Sequence, residues 1–173
     1  MSLQRTKSSR LNGQGLRIGV VTAVFNSDIT FELEKGALSR LESLGVDESD
    51  IVSIRVPGAF EIPVAAQALL TQSGVDGVIA LGAVIRGETT HYDYVCQAVE
   101  RGCSELALEF QKPVSFGVLT TENEAQAKDR IGGAHGHKGI EAAEVVVDMC
   151  NHLKELQKSG PTLDASRQPR YNM

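Results

Sequence analysis

Four apolar runs decide what this chain can fold into, because most are followed by a stretch in which apolar residues return every three or four positions. The first, LRIGVVTAVF (Leu16–Phe25), stays apolar almost throughout and closes on polar residues, as does a strand buried on both faces. Behind it Ile29, Leu33, Ala37, Leu41 and Leu44 make one helical stripe, which Asp28 or Ser27 can cap and Gly45 can end. IVSIRV (Ile51–Val56) reads as the second strand, and Pro57-Gly58 turns the chain into a helix over Phe60–Leu70, with Pro63 tolerated in its first turn. VDGVIALGAVI gives the third strand, Tyr92–Gln111 the third helix and PVSFGVLT (Pro113–Thr120) the fourth strand. Thr121–Glu124 then opens a helix to Ile131, Gly132–Gly139 reads as a glycine-rich kink, and Ile140–Leu156 is the last helix. Such alternation predicts a four-stranded parallel sheet between two helical layers, an α/β/α sandwich. The 173 residues fit one domain over residues 15–157, with an N-terminal arm at 1–14 and a polar, proline-bearing tail at 158–173.

In sheets of this kind ligands bind beyond the carboxyl ends of the strands. Phe25, Ala59-Phe60-Glu61, Gly82–His91 and Thr120 all fall there. The densest stretch is GAVIRGETTHYDY (Gly82–Tyr94), where a strand end breaks at Gly87, turns polar and runs into a helix. The N–H groups at such a helix start have no helical partner and suit an anion. A histidine follows at once. Spacing alone leaves two readings open: a catalytic His91 beside an anion turn, or a helix capped by Thr89 or Thr90 with a solvated first-turn histidine.

Composition removes other classes. A formal charge of −5 offers no basic stripe for nucleic acid. No apolar run approaches the ~20 residues of a membrane span, and residues 1–15 lack a signal peptide's apolar segment, so the expected compartment is the cytoplasm. Cys96, Cys103 and Cys150 show no CxxC spacing, and Cys96 and Cys103 lie seven apart on one helical pattern, as packing residues would. His135 and His137 form an HxH pair with no acidic or cysteine ligand at useful spacing, so no metal is expected.

The stretch GAVIRGETTHYDYV resembles the signature of the 6,7-dimethyl-8-ribityllumazine synthases, the penultimate enzymes of riboflavin biosynthesis. Three further blocks resemble that family in the same order: VFNSDIT (Val24–Thr30), VPGAFEIP (Val56–Pro63) and FGVLTTENEAQAKDRIGG (Phe116–Gly133). The likeness runs from about Leu16 to about Leu153. It implies a flavodoxin-like sandwich whose N-terminal arm adds an edge strand to a neighbouring subunit. It also implies a homo-oligomer, pentameric or larger, with sites at subunit interfaces, and riboflavin synthase as a partner. The implied reaction joins 5-amino-6-ribitylaminouracil to 3,4-dihydroxy-2-butanone 4-phosphate and needs no cofactor, since the substrate's own amine attacks the ketone.

Roles follow from the resemblance residue by residue. Phe25 stacks on the pyrimidine, where the bland alternative is a core aromatic capping a strand end. Phe116 reaches in from the adjacent subunit. Glu61 holds ribityl hydroxyls beside the Ala59-Phe60 backbone, although a first-turn carboxylate is also stabilised by the helix dipole alone. Ala83, Val84 and Ile85 line the base pocket through backbone groups. Gly87, Glu88, Thr89, Thr90 and Arg130 hold phosphate, the guanidinium fork suiting its oxygens. His91 shuttles protons, an imidazole titrating near neutrality. Lys138 and Glu141 sit near phosphate and ribityl groups, and Arg86 is structural. The departure is His137, where relatives usually carry Asn. A non-catalytic flavin- or lumazine-binding protein, an archaeal-type riboflavin synthase and a shell protein with a vestigial site are the rivals. Arg130 together with His91 argues for the enzyme.

Overall fold

The computed structural model describes residues 11–159. In chain order these form β1 (Ile18–Ala23), α1 (Ser27–Ser43), β2 (Ile51–Val56), α2 (Ile62–Gln72), β3 (Gly77–Ile85), α3 (His91–Phe110), β4 (Val114–Thr121), α4 (Glu124–Lys128), β5 (Ile131–Gly133), β6 (Gly136–His137) and α5 (Lys138–Ser159). The main sheet is parallel throughout, in the order β2-β1-β3-β4. Its arrangement is the expected flavodoxin-like three-layer sandwich.

The central strands carry the longest apolar runs for a physical reason. Every residue of β1 and the first seven of β3 are buried. One face packs Ile18, Val20, Ile79 and Leu81 against Leu33, Ala37 and Leu41 of α1 and Ala143, Val146 and Val147 of α5. The other packs Val21, Val78 and Ala80 against α2 and α3 through Ala66, Leu69, Val99 and Leu106. Edge strand β2 differs: Ser53, Ile54 and Arg55 are exposed. Arg55 there folds over the ring of Phe31, 4.2 Å from its centroid, and reaches the buried carboxylate of Glu34 at 2.6 Å.

Three local expectations are corrected. Helix α1 is capped by neither Ser27 nor Asp28, which lie inside it; Asn26 precedes it at φ 60 and gives no side-chain cap. Its amide is spent elsewhere, donating to the Ala83 carbonyl at 2.9 Å. Asparagine is one of the few residues that tolerates this left-handed conformation. The helix expected over Thr121–Ile131 shrinks to Glu124–Lys128, because β4 runs on to pair Thr121 with Ile85 and Asn123 supplies the cap. The expected kink at Gly132–Gly139 is instead an antiparallel hairpin pairing Ile131 with His137 and Gly133 with Gly136. Helix α5 consequently starts at Lys138, with the Ile140 N–H donating to His137 Nδ1 at 3.4 Å.

The arm and tail expectations fall mostly on residues 1–10 and 160–173, outside the described residues. At 11–14 the chain is tied down: Gly13 N–H donates to the Leu44 carbonyl at 2.7 Å, and Asn151 Nδ2 to that of Asn12 at 2.7 Å.

Candidate active site

The predicted residues fall into two groups. The first lines the carboxyl ends of β1, β2 and β3. Beyond β1, Val24 N–H bonds to the Val56 carbonyl (2.8 Å) and Phe25 N–H to that of Pro57 (3.0 Å), so the loops after β1 and β2 are sewn together. The Asn26 amide fastens the same corner to β3. Phe25 and Phe60 project from this rim 70% and 62% exposed. Exposure of that size rules out the reading of Phe25 as a core aromatic. Ala59 is buried below. Glu61 closes a short 3-10 turn over Ala59–Glu61, its Oε2 accepting the Gly58 N–H at 3.0 Å. One carboxylate oxygen of Glu61 thus caps its own turn.

Ala83 is buried, whereas Val84 and Ile85 are half-exposed at the end of β3. The Ala83 carbonyl is already occupied by Asn26, so it is a fixed point of the corner rather than an open acceptor. Past Arg86, residues Gly87, Glu88, Thr89 and Thr90 form an exposed turn, and His91 is the first residue of α3, also exposed. Thr90 precedes α3 without a side-chain cap, and Thr89 Oγ1 accepts the His91 N–H only at 3.4 Å. The caps that would make this an ordinary helix start are weak or missing. Arg86, by contrast, is tied to Glu122 (2.7 Å) and Asp93 (3.2 Å) and covers the Tyr92 ring at 4.0 Å. It braces the turn, as expected. Burial pushes the Tyr92 phenol above its ordinary value, followed in effect by the neighbouring Cys96.

The second group surrounds a cavity of about 360 Å³ at the free edge of β4 and the start of α5. Phe116, Thr120, Arg130, Lys138, Glu141 and Val145 are among the residues that line it. Phe116 is 43% exposed, so its mid-strand position does not bury it, because β4 is an edge. Lys138 Nζ bonds to Glu141 Oε2 at 2.7 Å. Arg130 Nη1 donates to the Gln126 carbonyl at 2.7 Å. Arg17, Arg40, Arg55, Arg86 and Arg101 all hold carboxylates. Among the described residues, Arg130 is the arginine with no ion-pair partner.

The two imidazoles of the HxH pair go different ways. His135 Nδ1 lies 2.9 Å from Asp129 Oδ2. His137 turns to α1, where a methyl at Gly36 would collide with its ring. Cys103 and Cys150 are buried, which pushes both thiols up to about 12. Asn26 is the positioning residue that sequence reasoning passed over. Its left-handed backbone and its bond to β3 are long-range facts, although an Asn at a strand–helix junction was a usable signal.

Comparison with known proteins gives one consistent result. Residues 15–154 match the family described as 6,7-dimethyl-8-ribityllumazine synthase. A protein of that name from Bdellovibrio bacteriovorus is 53% identical over 141 residues, covering 82% of this chain and 77% of its own. One from Lactiplantibacillus plantarum is 44% identical over 154 residues (89% and 97%). One from Aquifex aeolicus is 43% identical over 148 (86% and 96%).

Proposed function

The chain belongs to the 6,7-dimethyl-8-ribityllumazine synthase family, and from that premise we propose how its two clefts divide the family's reaction. The enzyme is a transferase of riboflavin biosynthesis. It condenses 5-amino-6-ribitylaminouracil with 3,4-dihydroxy-2-butanone 4-phosphate, releasing phosphate and water. Carbon–nitrogen bond formation uses the pyrimidine's own amine, so the protein's task is to bind, orient and move protons.

By this reading the carboxyl-end rim takes the pyrimidine. The exposed Phe25 ring is a stacking platform, and the free oxygen of Glu61, with Ala59 and Phe60 beside it, meets the ribityl hydroxyls. Val84 and Ile85 supply backbone groups to the base over the anchored Ala83. The turn Gly87–Thr90 offers N–H groups to phosphate, with the Glu88 carboxylate directed outward. His91, exposed beside that turn, accepts the amine's proton and returns one as phosphate leaves. Phe116, Arg130 and Lys138 form the other half. A subunit is then complete only against a second copy, whose rim faces this one's β4 edge. The pentameric or larger assembly belongs to this proposal, as does riboflavin synthase as a partner.

The observation that carries it is Arg130, which among the described residues has no carboxylate partner and lines one cavity with Lys138 and an exposed aromatic. A guanidinium held at one edge and open at the other suits a phosphate. The test incubates the protein with both substrates and follows lumazine absorbance and released phosphate together. Both are expected in equal amounts; folded protein that releases neither, or phosphate alone, would overturn the assignment.

A further inference from the structure

Arg130 is next in sequence to a carboxylate, yet the two do not pair. Asp129 ends α4, and the chain then doubles back through β5 and β6. Both carboxylate oxygens are taken up in that fold-back. Oδ1 accepts the Ala134 N–H at 3.1 Å, and Oδ2 lies 2.9 Å from His135 Nδ1. The backbone closes the same loop, His135 N–H donating to the Asp129 carbonyl at 3.1 Å. Gly133 is needed for it, since a methyl there would sit 2.5 Å from Asp129 Oδ1. Lys138 N–H bonds to the Arg130 carbonyl at 2.9 Å, so the hairpin also sets the spacing of the two cations lining the cavity.

We infer that His135 is a positioning residue: it holds the Asp129 carboxylate inside the hairpin, so that Arg130 stays available to the substrate's phosphate. This rests on the assignment of Arg130 to phosphate. The physical reason is competition. A carboxylate and a phosphate oxygen seek the same guanidinium edge, and a neighbouring carboxylate is present at far higher effective concentration than any substrate. The charge of Arg130 is already felt at Asp129, where it joins His135 and Ala134 in lowering the carboxyl's pKa, His135 contributing most. With Nδ1 carrying its proton, the ring donates to Oδ2 in the neutral and the charged form alike. The clasp therefore requires no charge on His135. It also accounts for the divergence of the HxH pair, one imidazole serving Asp129 and the other the start of α5.

The experiment measures steady-state kinetics of the full chain for both substrates, with thermal unfolding as a folding check. His135→Ala is expected to raise KM for the butanone phosphate roughly fivefold, the scale of an exposed ion pair gained by a competitor. KM for the pyrimidine and kcat are expected to stay near wild type. His135→Gln, which keeps an N–H donor, is expected to remain close to the parent. Adding Asp129→Asn to His135→Ala is expected to restore the KM, because an amide has no charge with which to compete. A hairpin that merely loses packing would do no better with the second change. An unchanged KM in His135→Ala, or no recovery in the double variant, overturns the inference. Arg130→Ala measured alongside separates the layers: if it leaves that KM alone, the phosphate assignment itself falls. If it raises the KM while His135→Ala does not, only the role of His135 is lost.

Discussion

At the scale of the residue, the assignments are tested by what each group would lose. Arg130→Ala is expected to raise KM for the phosphorylated ketone by about ten- to a hundredfold, a charged hydrogen bond to phosphate being worth roughly 1.5–3 kcal/mol. Pyrimidine binding should change little. Amine–ketone condensation is intrinsically facile and positioning supplies much of its rate. His91→Ala is therefore expected to lower kcat by about a hundredfold, the low end for an acid–base group, and to flatten the pH–rate profile. Stability carries its own pH signature. The His135 hydrogen bond, then that of Ala134, holds the Asp129 carboxyl below its ordinary 3.8. A depressed carboxyl stabilises the fold fully above its unfolded value and stops doing so as pH falls through the depressed one. The wild type is thus expected to lose more stability than Asp129→Asn on acidification below about pH 3.8, read as a converging pair of thermal midpoints. Phe25, Arg130 and His91 could be nominated from the sequence because four ordered motifs carry them. What Asn26 and Asp129 bond to could not be read there, since both partners are set by how loops meet after folding.

At the scale of the element, the strands and long helices were readable because burial on two faces and on one face writes different periods into the chain. β2 (Ile51–Val56) was legible to the residue, yet its exposure was not, because being an edge is a property of strand order. The region after β4 failed for a related reason. Thr121-Glu122-Asn123-Glu124 has the composition of a helix start, but pairing of Thr121 with Ile85 extends the strand and delays the helix. The glycines of 132–139 then serve a hairpin, with Gly132 at φ 118 and Gly136 at φ 76. One glycine does a different job. A methyl on Gly139 would run into the carbonyl of Leu33, part of the backbone of α1, and backbone cannot step aside. Gly139→Ala is expected to destabilise the fold by about 1–3 kcal/mol, the cost of overpacking, seen as a lower denaturant midpoint. Gly36→Ala collides instead with the His137 ring, a side chain. Combined with His137→Ala it is expected to recover most of its own loss, which a backbone clash at Gly139 would not allow.

At the scale of the whole molecule, the two groups of site residues on one chain are by our proposal half-sites, each completed by a second copy. The rim proposed for the pyrimidine lies at the carboxyl ends of β1 to β3, and the cavity of Phe116, Arg130 and Lys138 opens at the β4 edge. Beside that cavity Val145 and Met149 of α5 stand 50% and 38% exposed, one helical turn apart. Exposed aromatic and aliphatic groups next to polar site residues suit a surface that a second copy covers. Repeating one such head-to-tail contact by rotation closes a ring. The proposal has a consequence that a self-contained site lacks: two differently damaged chains can repair each other. One variant carries Phe25→Ala with Glu61→Ala, and so has a dead rim but an intact β4 edge. The other carries Arg130→Ala, with the damage reversed. Each alone has every interface broken. Co-refolded in equal amounts, they put an intact rim against an intact edge at about a quarter of interfaces by random assembly. Activity is then expected to climb from near zero toward that fraction of wild type, and to stay near zero when the variants are mixed without refolding. Native mass spectrometry confirms that hybrid rings form. Hybrids without any gain would mean that each chain completes its own site, and the division between rim and edge would have to be abandoned.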